Sequence, residues 1–353
     1  MNIRAQNSSR TLQTLTSPLK HSTQDIHSGA PVDRLEALPH DPLQSEISQL
    51  RTMARRRAAS EKDVDFEFDQ SQESRADEIS SHFPNRNGYD KNFLGRPLDL
   101  PKLGPAIKDK AAPLLDSPNE NVLTYRNFSI VMNKERRQAF YAAANIDGAN
   151  IVSLPRNGEW TVDSRISRDH QLGNEAYKRN PIDHGHLVRR RDPVWGPDAQ
   201  QANSDTFVYT NAGLQHGRLN QKTWLDLENY ILDQAKAKDQ KLTVITGPVF
   251  ADDDPLFNNR GQMDEPTKIP QEFWKVVTWN DPEEGLKGAA FLQSQKDYLG
   301  RSLFKTDFEV GGMSVYQVPL SKLEGLTDLD FGELKDTSSD TKLLNRAEQA
   351  ELF

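Results

Sequence analysis

The stretch "NPIDHGHLVRRRDPVWG", residues 180–196, contains the residues that decide how this chain folds and what chemistry it carries. Its segment "IDHGHLV" reads as a β-strand, in which successive side chains point to opposite faces. His184 and His186 then share one face, Asp183 takes the other, and Gly185 lets another group approach the backbone. Two surface histidines on an edge strand would give the same pattern. The stretch alone therefore leaves a structural and a catalytic interpretation open.

A second polar group follows downstream, in "FVYTNAGLQHGRLNQ". It brings Asn211, Gln215 and Asn220 close together on and after a predicted strand, and Glu228 comes eight residues after Asn220. If residues 219–238 form the predicted helix, Asn220 and Glu228 lie on roughly one side, about 12 Å apart along the axis. The Asn220 amide is suited either to capping the helix or to binding a hard cation such as Mg²⁺. Glu228 is either a solvated acid or a residue that holds the waters of such an ion.

The remaining pattern indicates an α+β fold. "LTYRNFSIVMN" reads as a half-buried strand, and "QAFYAAANIDG" as its neighbour across the polar turn "KERR". "KLTVITGPVF", "EFWKVVTWN" and "GAAFLQSQ" are further predicted strands. Because strands and helices alternate irregularly, an α+β fold is favoured over a doubly wound parallel sheet.

Composition changes along the chain predict four regions. Residues 1–85 are polar and mostly disordered, apart from a short amphipathic helix near 42–60 that either docks on the body or a partner or stays solvated. Residues 86–118 form an extended, proline-containing lead-in on the domain surface. The folded domain covers 119–330, and 331–353 form a polar C-terminal tail.

Whole-chain properties exclude some classes of protein. The net charge of −8 over 353 residues argues against a nucleic-acid coat protein, although not against an enzyme with a positive cleft. Residues 151–192 contain eight basic and six acidic side chains, a local excess that ordinary surface patchiness also produces. The absence of cysteine excludes disulfides and thiolate metal sites. No apolar run is long enough for a membrane helix and no signal peptide is evident, so the default expectation is a cytoplasmic protein without a membrane partner, with export as a toxin as the alternative.

Four ordered blocks carry a family resemblance: "DHGH", "VWG", "TFVYTNAGLQHGRLNQKTWLDLENYI" and "VITGPVF". Over roughly residues 120–320 the chain resembles the DNA/RNA non-specific endonuclease family, which includes the Serratia-type nuclease and endonuclease G. The family signature is Asp-Arg-Gly-His, an Asn-x-x-x-Gln segment, Leu-Asn-x-x-x-Trp-x-x-Leu-Glu and Thr-Gly-Pro. The resemblance implies a ββα-metal (His-Me) finger set in a larger core with a central antiparallel sheet.

The resemblance also implies a role for each matching residue. His186 corresponds to the general base that activates water, and Asn220 to the direct ligand of the divalent ion, expected to be Mg²⁺ with Mn²⁺ as the alternative. Glu228 corresponds to the acid that binds the waters of that ion. Arg156 resembles the arginine that clamps the scissile phosphate, and Asp183 is expected to anchor the local backbone or orient its neighbours.

His184 stands where the family signature has arginine. Because histidine lacks the guanidinium fork and is charged only part of the time near neutral pH, we expect phosphate contact at this point to be weaker or pH dependent. The neighbouring Arg189 and Arg190 are candidates for compensating phosphate contacts. Asn211 and Gln215 are expected to shape the substrate-binding surface.

The function implied by the resemblance is a metal-dependent endonuclease that cuts DNA, RNA or both with little sequence specificity, leaving 5′-phosphate and 3′-hydroxyl ends. The N-terminal extension suggests control by a regulatory protein partner or by assembly, and family members are often homodimers. One alternative is a catalytically impaired nucleic-acid-binding protein on the same fold. Another is an interaction protein that works through the helix near 42–60.

Overall fold

The computed structural model describes residues 80–81, 83–156, 158–220, 223–302, 315–338 and 342–344. Nearly all of the predicted N-terminal extension, including its helix near 42–60, lies outside the described residues, as do 345–353. Among the residues that the structure describes, no helix combines the length and apolar character needed to cross a bilayer.

The described strands and helices are numbered in chain order. The strands are β1 Ser80–Ser81, β2 Lys102–Leu103, β3 Val122–Tyr125, β4 Phe128–Asn133, β5 Gln138–Asp147, β6 Val162–Asp163, β7 Ile182–His186, β8 Ala212–His216, β9 Lys241–Val249, β10 Leu256–Phe257, β11 Thr267–Lys268, β12 Glu272–Asp281, β13 Gly285–Ser294, β14 Val315–Val318, β15 Leu329–Asp330, β16 Lys335–Asp336 and β17 Lys342–Leu344. The helices are α1 Ala199–Asp205, α2 Gly217–Asn220, α3 Thr223–Ala237, α4 Lys296–Ser302 and α5 Leu320–Thr327.

A central antiparallel sheet organises the fold, as the sequence pattern and the family resemblance predict. Its strand order is β17-β14-β13-β12-β9-β5-β4-β3, and β16 pairs in parallel with β13. Every residue of β5 is buried, because the sheet is covered on both faces. Tyr141 and Ala143 contribute to one hydrophobic core, whereas Ala142 and Ala144 contribute to the core on the opposite face. The alanine-rich sequence of β5 thus suits a strand packed on both sides.

The segment predicted as one strand, "LTYRNFSIVMN", is a hairpin. Arg126 and Asn127 separate β3 from β4, and Asn127 adopts a φ of 67°. Asparagine tolerates this left-handed conformation better than most residues. Its side-chain amide also donates to the Pro193 carbonyl (2.8 Å), which ties the hairpin to the segment after β7.

The lead-in and the start of the predicted tail belong to the folded body. Phe93 and Leu98 are buried in a small apolar cluster, and β2 pairs with β15. Phe331 is buried against Trp274, with ring centroids 5.6 Å apart, and β16 extends the central sheet. Both segments are anchored by a few apolar residues scattered within polar sequence. These residues are too few to change the polar composition, so composition predicted a surface lead-in and a free tail.

A β-hairpin and a helix pack beside the central sheet in the arrangement of a ββα finger. β7 pairs antiparallel with β8, so that Ile182 faces His216 and His186 faces Ala212. α2 begins directly after β8, and α3 follows after two residues that are not described. Trp224 and Leu219 anchor the helices in the core that also contains Phe273. The sequence predicted a helix over 219–238, and α2 and α3 cover the described part of this range up to Ala237.

Candidate active site

The two histidines of β7 share one face of the hairpin, as their spacing predicts. Both rings contact Trp160, at centroid distances of 4.6 Å for His184 and 4.9 Å for His186. Trp160 belongs to the loop that precedes β6, and that loop also carries Arg156. The histidine face of β7 therefore meets an aromatic wall supplied by a different part of the chain.

Asp183 points towards the helical side of the finger. One of its carboxylate oxygens accepts a hydrogen bond from the Asn220 side-chain nitrogen (3.2 Å). An amide donates only through its nitrogen, so this bond fixes which end of the Asn220 side chain carries the oxygen. Asp183 thus orients the Asn220 side chain.

Gly185 is required for close packing within the hairpin. A Cβ atom at this position would lie 2.2 Å from the Gln215 side-chain oxygen, far inside van der Waals contact. Gln215 is fully buried over Gly185, and neither atom of its amide has a hydrogen-bond partner. Buried polar groups are normally satisfied, so the unpaired Gln215 amide is an exception within the hairpin.

His184 is held between two aromatic rings. Its ring stacks on Trp160 and on Tyr177, whose centroid is 4.2 Å away. Burial, together with the charge of Arg156, lowers the pKa of His184 from 6.5 to about 3. The side chain is therefore neutral at physiological pH. The expected pH-dependent phosphate contact does not fit this environment, because a neutral imidazole between two rings offers no positive charge to a phosphate.

His186 is neutral for similar reasons. Burial lowers its pKa well below 6.5, and the positive charge of Arg156, a protonated His184 and Arg190 act in the same direction. Its Nε2 atom is buried and has no hydrogen-bond partner. A neutral imidazole is the form that accepts a proton, so the environment keeps His186 in the state that a general base requires.

Arg156 is exposed on the loop before β6, and its guanidinium lies 5.2 Å from the centroid of the Phe207 ring. Phe207 also contacts His186, with centroids 5.4 Å apart and the rings nearly perpendicular. Through this shared ring, the structure brings the predicted phosphate clamp and the predicted base to one side of the finger.

Glu228 belongs to a buried group of charged side chains. Its carboxylate oxygens lie 3.4 Å from Lys275 Nζ and 3.8 Å from Arg189 Nε. Lys275 is 1% exposed, and it also donates to the Thr246 hydroxyl (2.8 Å). One oxygen of Glu228 still lacks a hydrogen bond, as does the Nη1 atom of Arg189. The oxygen without a hydrogen bond is the one that faces Lys275, so Glu228 lies between two cations.

Four residues expected to bind substrate are buried: Arg189, Arg190, Asn211 and Gln215. Arg190 donates to the Leu154 carbonyl and to the Asn203 side chain. Asn211 donates to the Val188 and Thr206 carbonyls and accepts from the Val188 N–H. Side chains engaged in this way hold backbone segments together. We therefore propose that Arg190 and Asn211 position the loops around the site instead of contacting a nucleic acid.

Three contributors were not predicted from the sequence: Trp160, Phe207 and Lys275. A usable signal existed only for Lys275, which interrupts the apolar run "FWKVVTW" of β12. A lysine in the middle of a buried strand requires a buried acid or several hydrogen-bond acceptors. Trp160 and Phe207 have no comparable local signal, since an aromatic residue in any loop or strand is most simply a core residue.

The oxygen donors on the helical side of the finger suit a hard divalent cation. Within the described ranges, no group of three or more His, Cys, Asp or Glu side chains converges in a way that could hold a metal ion. The oxygen donors present are the Asn220 amide and the Glu228 carboxylate. Mg²⁺ keeps most of its waters and takes one or two protein oxygens, and amide and carboxylate oxygens are ligand types that it accepts.

Comparisons with known proteins identify a family and two similar chains. The family model for DNA/RNA non-specific endonucleases matches residues 111–338. The chain is 37% identical over 273 residues to the uncharacterized protein y4fB of Sinorhizobium fredii (strain NBRC 101917 / NGR234), an alignment covering 72% of this chain. The aligned part spans 40% of the length of that relative. A chain in the crystal structure of the EndoG/EndoGI complex, titled as a mechanism of EndoG inhibition, aligns with a TM-score of 0.47 and 16% identity, over 60% of this chain and 85% of that chain.

Because the family match extends over well more than half of its residues, this chain belongs to the DNA/RNA non-specific endonuclease family.

Proposed function

We propose that this chain is a divalent-metal-dependent endonuclease that hydrolyses DNA or RNA phosphodiester bonds with little base specificity. The observation that carries the proposal is the Asp183–Asn220 hydrogen bond, on the same hairpin that presents His186. It fixes which end of the Asn220 side chain carries the oxygen that a hard cation would bind, and Asp183 belongs to the same strand as the neutral imidazole of His186. Family membership supplies the reaction class.

Asn220 would hold the ion directly, and Glu228 would hold its waters. Mg²⁺ is the expected ion and Mn²⁺ the alternative, since both prefer oxygen ligands. When bound, the ion would offset the negative charge that develops on the phosphate and on the departing 3′ oxygen. Asp183 would contribute by keeping the Asn220 oxygen, and not its nitrogen, turned towards the cation.

His186 would accept the proton of the attacking water. Its Nε2 atom is buried without a partner, so we infer that the proton moves from the water oxygen to Nδ1. The reactive tautomer then carries its own proton on Nε2. Because burial lowers the pKa of His186 well below 6.5, the base stays unprotonated throughout the neutral range.

Arg156 would bind the scissile phosphate. Arg156 is exposed, its positive charge lowers the pKa of both histidines, and its guanidinium fork matches phosphate oxygens. Contacts to phosphate position a nucleic acid but carry no sequence information, which accounts for low base specificity.

Cleavage of supercoiled plasmid tests the proposal. We expect nicking and linearisation with Mg²⁺ or Mn²⁺ and none with EDTA. The variants His186→Ala and Asn220→Ala should each lose at least about 100-fold in rate, the scale on which a general base contributes. A matched control is His170→Ala, which removes a histidine from the turn after Ser167. Equal loss in the control, or metal-independent cleavage, would contradict the assignment.

A second candidate function rests on His184. The family position for a phosphate-binding arginine is taken by a neutral histidine between Trp160 and Tyr177. This arrangement also suits a nucleic-acid-binding protein with impaired catalysis. Retention of plasmid in a gel-shift assay, with no strand cleavage at any metal concentration, would favour this alternative.

A further inference from the structure

Phe207 contacts three parts of the proposed site at once. Its ring lies 5.2 Å from the Arg156 guanidinium, 5.4 Å from the His186 ring and 5.6 Å from the Trp160 ring, measured to ring centroids. The two aromatic partners meet it at steep angles, 88° for His186 and 75° for Trp160. Edge-to-face contacts of this kind depend on the flat face of an aromatic ring. Phe207 is 2% exposed, so it takes no direct part in binding substrate.

The loop that carries Arg156 is fastened to the same residue through its backbone. The Thr161 N–H donates to the Phe207 carbonyl (3.0 Å), and the Tyr209 N–H donates to the Thr161 carbonyl (2.9 Å). Gly158 lies so close to the ring that a Cβ atom there would be 1.8 Å from it. The loop therefore follows the surface of Phe207 over several residues, and glycine is required at the closest point.

Packing alone orients the buried edge of His186. Its Nε2 atom has no hydrogen-bond partner, so no polar contact at that atom fixes the rotation of the ring. The rings of Trp160 and Phe207 remain as the contacts that set its angle. The Arg156 guanidinium also lies over the Phe207 ring, so moving this one side chain would shift both the proposed base and the proposed phosphate clamp.

We propose that Phe207 is a positioning residue that holds the Arg156 loop and the His186 ring in the relative orientation needed for phosphodiester cleavage. The inference rests on the proposed function for its consequence in catalysis. The structural claim, that Phe207 sets the environment of the His186 ring, does not depend on whether the chain cleaves nucleic acid.

The kinetic test compares Phe207→Leu with Phe331→Leu in the full-length chain. Phe331 is a matched control, because it is 5% exposed and meets Trp274 edge-to-face at the same 5.6 Å distance, on a different core. Displacing a catalytic group by about 1 Å costs on the order of 100-fold in rate, so Phe207→Leu should lower kcat by about 10-fold to 100-fold. Phe331→Leu, at a similar loss in melting temperature, should change kcat by less than about 3-fold. Equal effects of the two substitutions would overturn the inference.

A second measurement needs no cleavage. Histidine side-chain NMR should show the pKa of His186 well below 6.5 in the wild-type protein, because burial and then Arg156, His184 and Arg190 all lower it. In Phe207→Leu, looser packing should admit solvent and move that pKa towards 6.5, while Phe331→Leu should leave it unchanged. An unchanged His186 titration in Phe207→Leu would overturn the inference even in an active enzyme. If the wild-type protein cleaves nothing, the proposed function fails, and this titration still decides the role of Phe207.

Two further substitutions of Phe207 keep the test informative if the Phe207→Leu protein does not fold. Phe207→Met keeps apolar volume and replaces Phe207→Leu if the leucine variant unfolds. Phe207→Tyr keeps the ring face and should retain more activity than the leucine or methionine variant. A folded tyrosine variant as impaired as Phe207→Leu would contradict the requirement for an aromatic face.

Discussion

The buried charges around Glu228 give a prediction that separates folding from catalysis. Lys275 and Arg189 lie 3.4 Å and 3.8 Å from the Glu228 carboxylate, and Asp192 is buried beside the same cations. In the wild-type protein two buried cations therefore face two buried acids. Glu228→Gln keeps the shape of the side chain and removes one negative charge. Two cations are then left facing Asp192 alone.

The size of the effect follows from the burial of the partners. Lys275 is 1% exposed and Arg189 is 6% exposed, so water cannot replace the lost carboxylate. Removing one member of a buried ion pair typically costs about 3–5 kcal/mol, because the remaining charge stays buried and uncompensated. We expect Glu228→Gln to lower the free energy of unfolding by an amount in this range.

The double variant Glu228→Gln/Lys275→Met should be more stable than Glu228→Gln alone. It leaves one cation, Arg189, facing one acid, Asp192, and it places an apolar chain of similar length against Trp224, which Lys275 now covers at 4.9 Å. Coupled neighbours usually show interaction energies of 0.5–3 kcal/mol, so a recovery of at least about 1 kcal/mol is expected. Cleavage should not recover, because the carboxylate proposed to hold the waters of the metal ion is still missing.

Urea denaturation of the wild type, both single variants and the double variant provides the assay, with plasmid cleavage measured on each folded protein. Glu284→Gln breaks an exposed ion pair with Lys287 and serves as a control that should leave the denaturation midpoint unchanged. Additive losses in the double variant would refute the buried-charge argument. Restored cleavage in the double variant would refute the proposed role of the Glu228 carboxylate.

Three further predictions concern the metal site, the phosphate contact and the pH dependence of stability. Asp183→Asn should weaken the apparent Mg²⁺ affinity, measured by metal titration of cleavage, by about 10-fold to 100-fold, and an unchanged affinity would contradict its orienting role towards Asn220. His184→Phe should leave the salt dependence of DNA binding unchanged, because His184 is neutral. Arg156→Ala should lower the slope of log Kd against log salt by about one, because one phosphate contact is lost. A changed slope with His184→Phe would show that His184 is charged. Burial raises the pKa of Asp192 from 3.8 to about 7, so the folded state binds this proton more tightly and stability falls as pH rises between those values. Between about pH 4 and about pH 8, the melting temperature of Asp192→Asn should therefore fall less than that of the wild type. An identical pH dependence of the melting temperature in both proteins would count against the raised pKa of Asp192.

Local sequence periodicity predicted the finger well because each of its parts is specified over a few residues. Alternation in "IDHGHLV" placed both histidines on one face, and both rings contact Trp160. The glycine between them predicted a close approach, and the approaching group is Gln215. The turn at Asn127 was missed because the apolar pattern continues across it, and only its left-handed φ of 67° divides the segment into two strands.

The charge state of the site could not be predicted from the sequence, because it depends on contacts between distant segments. His184 is neutral because Trp160 and Tyr177 enclose it, and neither aromatic residue belongs to the finger. Glu228 meets Lys275 across a long stretch of chain that includes most of α3 and all of β9. Pairings of this kind appear only when the sheet brings the segments together, so the sequence supplied candidate residues but not their ionisation or partners.

The most direct test of the account is the position of a bound ion. Crystals grown with Mn²⁺ should give an anomalous peak within about 2.2 Å of the Asn220 side-chain oxygen, with Asp183 still hydrogen-bonded to the amide nitrogen, since Mn²⁺ prefers oxygen ligands and octahedral geometry. The His186 ring should lie near a water or phosphate in the shell of the ion. A peak elsewhere, or an Asn220 amide that presents its nitrogen to the ion, would contradict the central claim.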